Sequence, residues 1–128
     1  MRVLVDTCTF LWYADNNDRL SNRARTCIED LGNALYLSVA SVWEIAVKSG
    51  SGRLALPEPV DTFVPTRRAL ANVLSLPLQE EAAFVAASLP LLHKDPFDRI
   101  LICQSIIHGL TILSPDPLLA QYGVRMLW

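Results

Sequence analysis

Short apolar runs alternate with helical stretches along this chain, and the alternation limits the folds that are open to it. The clearest apolar run covers residues 2–5 and ends at Asp6. Further strands are predicted at residues 35–39, 72–76, 110–113 and 124–128. Strands that alternate with helices are typical of a parallel sheet. The pattern therefore predicts an α/β fold built on a mainly parallel sheet, and a length of 128 residues fits one domain over 1–128.

The predicted helices carry recognisable start and stop signals. Ser21 is a good cap for a helix that runs to Leu31, and Pro96 stands at the favoured first helical position of a helix that ends before Gly109. The predicted helices cover residues 7–14, 21–31, 41–50, 60–71, 79–89, 95–108 and a short segment after 116. Residues 50–59, with two prolines, are predicted to form an exposed loop.

Composition restricts the compartment and the kind of stabilisation. Hydrophobic residues make up 52% of the chain and charged residues 19%, which is enough for a core without covalent links. The three cysteines are odd in number and widely spaced, so neither a disulfide framework nor a zinc site is indicated. The chain has no apolar run near the ~18 residues of a membrane span and no signal-peptide pattern at its start. We therefore expect a soluble, cytoplasmic protein that makes no membrane contact.

Four acidic residues form the main candidate site. Asp6 closes the first strand, and Glu44, Asp98 and Asp116 each fall in the first turn of a predicted helix. If the strands are parallel, all four carboxylates reach the same edge of the sheet, where open α/β folds bind their ligands. Clustered carboxylates disfavour joint ionisation unless a cation is present. Because no histidine or cysteine stands at ligand spacing, the oxygen ligands favour Mg²⁺ or Mn²⁺ over Zn²⁺, and phosphodiester hydrolysis is the chemistry that fits best.

Each acid also has a purely structural explanation. Ser41 and Glu44 match a capping box, and Asp6 could be a buried cap for the helix that it begins. The remaining acids suit helix N-termini, as caps or by complementing the helix dipole: Asp95, Asp98 and Asp116. Caps can occur at either edge of a sheet, whereas these acids should share one edge. The joint pattern therefore favours a metal site.

The charge balance leaves a nucleic-acid partner open. The net charge of −2 by itself argues against a polyanion. The thirteen acidic residues include the four clustered ones, however, so nine remain against eleven basic residues once a metal neutralises the site. Four basic residues flank the acidic edge and are candidates for phosphate-backbone contacts, with plain surface solvation as the alternative for each: Lys48, Arg53, Lys94 and Arg99.

Three segments carry a specific pattern: residues 5–12 (VDTCTFLW), residues 41–48 (SVWEIAVK) followed by 52–54 (GRL), and residues 93–99 (HKDPFDR), of which the last is the most specific. In these segments the chain resembles PIN-domain proteins, and in particular the VapC-type toxins of bacterial toxin-antitoxin pairs. The resemblance spans essentially the whole chain. It implies a three-layer α/β/α fold around a parallel sheet, and an acidic pocket that binds Mg²⁺ or Mn²⁺ and cleaves RNA. It also implies a homodimer and inhibition by a cognate antitoxin.

The resemblance also assigns roles to individual residues. Asp6, Glu44 and Asp98 match the metal-binding acids of the family, and Asp116 matches a fourth, less regular acid. Nearby residues take supporting positions: Thr7, Ser41, Asp95 and Ser114. The sequence departs from the family at Cys8, where close relatives often have histidine, and at residues 114–116, where Ser-Pro-Asp replaces threonine-x-aspartate. Pro115 removes a backbone donor beside Asp116 and weakens its assignment.

Three functional hypotheses follow. The first is a metal-dependent endoribonuclease toxin, in which Asp6 and Asp98 hold the principal metal, Glu44 completes the site or orients water, and Asp116 supports a second metal. The second is a catalytically idle PIN-like module that acts only by binding an antitoxin or another protein. A third, a phosphoacceptor receiver domain, needs an acidic pair after the first strand and a late lysine, but the chain has Thr7 and Cys8 there and no lysine beyond Lys94.

Overall fold

The computed structural model describes residues 1–128 as a five-stranded, wholly parallel sheet with seven helices. The strands are β1 Arg2–Val5, β2 Ala34–Ser38, β3 Val73–Leu76, β4 Thr111–Leu113 and β5 Met126–Leu127. The helices are α1 Thr7–Ala14, α2 Asn22–Glu29, α3 Val39–Gly50, α4 Val60–Leu70, α5 Glu80–Ser88, α6 Pro96–His108 and α7 Pro117–Ala120. The predicted α/β class and parallel sheet are confirmed. No helix combines the length and the hydrophobicity that crossing a bilayer requires.

The sheet separates two hydrophobic clusters because successive side chains of a strand point to opposite faces. Val3 and Val5 of β1 face a cluster that α1 to α4 complete. Leu4 faces the opposite cluster, to which α6 and α7 contribute Ile102 and Leu119, and α5 packs against α6. The result is a three-layer α/β/α arrangement, as the resemblance implied.

The strand order places β1 at the centre and makes one edge of the sheet a binding position. The order is β3-β2-β1-β4-β5, so the chain builds outward from β1 on one side and then returns to add β4 and β5 on the other. Val5 is in register with Leu37 of β2 and with Leu113 of β4. The residues that follow these three strands therefore meet at one edge, and the point between β1 and β4 is the topological switch point where α/β folds bind ligands.

The start of α3 differs from the prediction. A strand over 35–39 and a helix from Ser41 were expected, but β2 ends at Ser38, whose hydroxyl caps α3 by accepting from the Ala40 N–H at 3.0 Å. Val39 is β-branched and suits a strand by local preference, which is why the sequence alone extended β2 past the true cap. Glu44 consequently lies in the second turn of α3, and Ser41–Glu44 is not a capping box.

The other boundaries fall close to the predicted ones. Helix α2 begins after its Ser21 cap but ends at Glu29 rather than at Leu31. The last strand is reduced from the predicted 124–128 to the two residues of β5. Gly109 adopts a left-handed conformation (φ 64°) that ends α6, as its position after the last helical residue predicted.

Candidate metal centre

Asp6 lies at the end of the central strand and caps the helix that follows. One of its carboxylate oxygens accepts from the Thr9 N–H at 2.9 Å, and Asp6 is only 5% exposed. The Asp6 N–H and the Thr9 hydroxyl both donate to the Leu113 carbonyl, at 3.2 and 3.1 Å, which ties the end of β1 to the end of β4. Burial raises the pKa of the Asp6 carboxyl, while hydrogen bonds from Ser114 and Thr9 partly offset that rise.

Glu44 reaches the same region from α3. Its side chain is 7% exposed and forms an ion pair with Lys48 one turn later, with 2.6 Å between Oε2 and Nζ. Two buried hydroxyls near the acidic edge, those of Thr7 and Ser41, have no hydrogen-bond partner. Unpartnered buried hydroxyls are uncommon because each carries an uncompensated desolvation cost. The two unpartnered hydroxyl oxygens are consistent with a site that binds a ligand.

A second group of side chains lies where α6 and α7 begin, and it consists of His93, Asp98 and Asp116. Asp98 is the third residue of α6, and Asp116 caps α7 by accepting from the Leu118 N–H at 2.9 Å. His93 Nε2 lies 2.8 Å from Asp98 Oδ2 and 3.5 Å from Asp116 Oδ2. One ligand atom from each of the three residues lies within 4.8 Å of the others. The group is therefore compact enough for a single ion.

The pKa shifts show which charges act on one another. Burial raises the pKa of Asp98 to about 6, with further increases from the charges of Asp95 and Glu44. Burial, together with the charges of Asp6 and Asp98, raises the pKa of the Cys8 thiol far above its ordinary value. The charge of Glu44 thus acts on Asp98, and the charges of Asp6 and Asp98 both act on the Cys8 thiol. The thiol stays protonated at neutral pH and donates to an Asp6 oxygen at 3.4 Å rather than acting as a nucleophile.

The residues present fit a divalent cation. Raised carboxyl pKa values show that the protein alone does not compensate these charges, and a cation would. The nearby oxygen donors are the hard ligands that Mg²⁺ and Mn²⁺ prefer. Three of the acids also cap helices and are therefore held in place: Asp6, Asp95 and Asp116. The sequence showed no histidine at ligand spacing, but the fold brings His93 Nε2 to 2.8 Å from Asp98 Oδ2.

The sequence contained a signal for His93. It opens the 93–99 segment, five residues before Asp98, but histidine and aspartate at that separation do not share a helix face. Residues 89–95 precede α6, and the turn that brings the imidazole back over the first turn of α6 was not predictable from spacing. Among the supporting residues, Ser114 is buried, accepts from the Asp116 N–H at 3.1 Å and contacts Asp6, so it lies between two of the acids.

The four basic candidates differ in what surrounds them. Lys48 and Arg53 line a cavity of about 250 Å³ that also includes Thr7, Cys8 and Glu44. Lys94 is exposed. Arg99 is engaged within the protein, because its guanidinium donates to three oxygens: Pro90 O at 3.0 Å, Tyr122 Oη at 3.1 Å and Ala86 O at 3.2 Å.

Comparison with known proteins identifies the class to which this fold and site belong. The family model described as PIN domain matches residues 3–124, and the chain belongs to that family. Ribonuclease VapC16 from Mycobacterium tuberculosis is 44% identical over 46 residues, which is 36% of this chain. The matched segment spans only 33% of that relative's length.

Solved structures of similar fold extend over nearly the whole chain. VapBC2 from Rickettsia felis, bound to a DNA fragment from their promoter, gives a TM-score of 0.74 at 12% identity and covers 99% of this chain and 98% of that chain. VapBC-1 from nontypeable Haemophilus influenzae gives a TM-score of 0.67 at 12% identity, with 99% and 97% covered. At these identities the likeness concerns the fold.

Proposed function

We propose that this chain is a metal-dependent endoribonuclease and the toxin of a type II toxin-antitoxin pair. One observation carries the proposal: acidic side chains from separate segments lie around the β1–β4 switch point of a PIN domain, and burial raises the pKa of Asp6 and of Asp98. A cluster of this kind requires a cation to be fully ionised. Over 46 residues the chain is 44% identical to a protein named a ribonuclease, and this supports the proposed reaction class.

The proposed roles are those that the family resemblance suggests. Asp6 and Asp98 would hold the principal Mg²⁺ or Mn²⁺ ion, Glu44 would complete the site or orient water, and Asp116 would support a second ion. A bound divalent cation would supply Lewis-acid catalysis for hydrolysis of an RNA phosphodiester. The supporting residues place hydroxyl or carboxylate oxygens beside these acids: Thr7, Ser41, Asp95 and Ser114.

The protein's own hydrogen bonds hold two of the acids in place. The Ser114 oxygen accepts from the Asp116 N–H at 3.1 Å, while its hydroxyl hydrogen is free to point at Asp6. One short side chain at the end of β4 thus connects acids from two segments. Preorganised groups need no rearrangement when charge develops at the substrate, which is how such a site accelerates a reaction.

RNA would approach over the basic residues beside the acids. Lys48 and Arg53 border the cavity next to Glu44, and Lys94 stands exposed in the loop before Asp95, so these three are the proposed phosphate contacts. Arg99 remains a weaker candidate because its guanidinium already has three partners. Contacts of this kind fix the position of a nucleic acid without reading its sequence.

A protein partner and a second copy complete the proposal. We infer that a cognate antitoxin covers the acidic edge in the cytoplasm and that the toxin forms a homodimer. Structures of similar fold are VapBC pairs, which supports the antitoxin. Trp43, which is 58% exposed and packs edge-on against Phe97 at 5.6 Å between ring centroids, directly precedes Glu44 and offers an aromatic contact for such a partner.

The test is RNA cleavage by the purified protein. A panel of labelled cellular RNAs is incubated with Mg²⁺, with Mn²⁺ and with chelator, using parent, Asp6→Asn and Asp61→Asn proteins. Asp61 is an exposed first-turn acid of α4 and provides a matched control away from the site. Metal-dependent cleavage that Asp6→Asn alone loses supports the nuclease. Cleavage retained by Asp6→Asn contradicts the site, and a protein that neither cleaves RNA nor is stabilised by Mn²⁺ fits the idle binding module instead.

A further inference from the structure

His93 lies between two acids that belong to different parts of the chain. Its Nε2 atom is 2.8 Å from Asp98 Oδ2, on α6, and 3.5 Å from Asp116 Oδ2, in the cap of α7. The imidazole is only 14% exposed, so water has little access to these two contacts. The two carboxylates would repel each other without a hydrogen-bond donor or a cation between them.

The backbone beside His93 favours one tautomer of the ring. The Asp95 N–H lies 3.5 Å from Nδ1 and points at it. A backbone N–H can only donate, so this contact favours a lone pair on Nδ1 and the ring proton on Nε2. In that tautomer the Nε2–H group points at the carboxylates and has no lone pair to offer a metal ion.

We propose that His93 is a positioning residue whose Nε2–H holds the Asp98 and Asp116 carboxylates in place for metal binding without itself contacting an ion. The proposal rests on the metal site of the proposed function. The hydrogen bond to Asp98 also counteracts part of the rise in that residue's pKa. Groups that orient metal ligands through hydrogen bonds contribute to metal affinity although they do not touch the metal.

The loop that carries His93 is anchored by two side chains from later in the chain, those of Arg99 and Tyr122. The Tyr122 hydroxyl oxygen accepts from the backbone N–H groups of His93 at 2.9 Å and of Leu92 at 3.1 Å. Arg99 donates to the same oxygen at 3.1 Å and to the Pro90 carbonyl at 3.0 Å. Arg99 and Tyr122 thus fix the backbone on which the imidazole depends, and this accounts for an arginine that faces into the protein beside a site for an anionic substrate.

The competing arrangement is direct ligation. The ligand atoms of His93, Asp98 and Asp116 all lie within 4.8 Å of one another, so one ion can contact all three. That arrangement requires the ring proton on Nδ1, where it would point at the Asp95 N–H and lose the hydrogen bond at 3.5 Å. The two arrangements make opposite predictions for nitrogen coordination.

The experiment measures Mn²⁺ binding rather than RNA cleavage. Calorimetric titration with MnCl₂ is carried out on the parent, on His93→Ala, on His93→Gln and on His108→Gln, and each Mn²⁺-loaded protein is examined by electron spin echo envelope modulation for a coordinated nitrogen. Glutamine keeps an N–H donor near the position of Nε2, so it separates loss of the donor from loss of the ring. His108, at the far end of α6, is the matched histidine control. Melting curves verify that each variant is folded.

The expected result is a parent spectrum without imidazole modulation, an affinity about 10- to 100-fold weaker in His93→Ala, and recovery in His93→Gln. His108→Gln should bind like the parent. Nitrogen modulation that disappears in His93→Ala would make the residue a ligand and overturn the proposal, as would an unchanged affinity in His93→Ala. A protein that binds Mn²⁺ as expected but cleaves no RNA contradicts the proposed nuclease alone and supports the role of His93.

Discussion

Replacing Asp98 by asparagine should stabilise the metal-free protein, although it removes a side chain of the candidate metal centre. Burial and the charges of Asp95 and Glu44 disfavour the ionised carboxylate in the folded state. Asparagine removes the charge but keeps an oxygen that can accept from His93, which donates to Asp98 at 2.8 Å. The substitution therefore relieves repulsion and leaves the hydrogen bond in place.

The magnitude follows from the pKa of Asp98, which is raised from 3.8 to about 6. A difference of about two units corresponds to about 3 kcal/mol, and because the side chain is 21% exposed this figure is an upper bound. The folded protein holds the proton more tightly than the unfolded chain, so its stability falls as pH rises from about 4 to about 6 and is then level. Asp98→Asn lacks this loss. Its advantage over the parent should therefore be full above about pH 6 and vanish near pH 4.

The assay is urea denaturation with chelator present, at neutral pH and near pH 4, for the parent, Asp98→Asn and Asp61→Asn. The denaturation midpoint of Asp98→Asn should rise at neutral pH at an unchanged slope. Asp61 occupies the first turn of α4, away from the cluster, so its replacement should lower stability slightly by removing a favourable charge at a helix N-terminus. A midpoint for Asp98→Asn at or below that of the parent at neutral pH would refute the reasoning.

Three further predictions concern the same site. Mn²⁺ should raise the free energy of unfolding by about 2.7 kcal/mol at a hundredfold excess over Kd, and thermal melting of Asp6→Asn should show little of that shift. In chelator, urea denaturation should show Asp6→Ala to be about 1 kcal/mol less stable than Asp6→Asn, because only asparagine keeps the hydrogen bond from Thr9. Equal stabilities would contradict the capping role of Asp6. The Cys8 thiol should be alkylated slowly at neutral pH and faster in Asp6→Asn, since the Asp6 charge helps to raise the pKa of the thiol. Peptide mass spectrometry measures the alkylation rate, and rapid alkylation in the parent would show that the thiol is activated.

The sequence predicted the strands, the helices and the parallel sheet well because these depend on local patterns. Alternating runs gave the strands, and Ser21, Pro96 and Gly109 marked helix ends that the structure confirms. The error at α3 arose where local preference and tertiary structure conflict, since Val39 suits a strand but the buried hydroxyl of Ser38 begins the helix.

The approach of Asp98 to Asp116 could be inferred from parallel strands, but the contacts of His93 could not. They depend on the path of residues 89–95, which the Tyr122 hydroxyl holds from about thirty positions further along the chain. The sequence offered Arg99 either a phosphate contact or plain surface solvation, and it could not show that Arg99 instead donates to the same Tyr122 hydroxyl. From the sequence, a basic residue next to an acidic edge can point outward to solvent and RNA or inward to protein carbonyls. For Arg99 the contacts with the Pro90 and Ala86 carbonyls show that it points inward.

The structural and the functional explanations of the acids turn out to be compatible, because a carboxylate has two oxygens. In Asp6 one oxygen accepts from the Thr9 N–H, and in Asp116 one accepts from the Leu118 N–H. The second oxygen of Asp116 faces His93 at 3.5 Å. Capping thus fixes each carboxylate through one oxygen, and the positive end of the helix dipole makes its charge easier to bear. Helix α7 has only four residues and places Leu119 in the core, and by holding Asp116 it also gives the end of β4 a carboxylate in a defined place. The helix starts at this edge of the sheet are therefore part of the candidate metal centre. Replacing a capping acid by a residue that caps equally well is the substitution that separates the two roles.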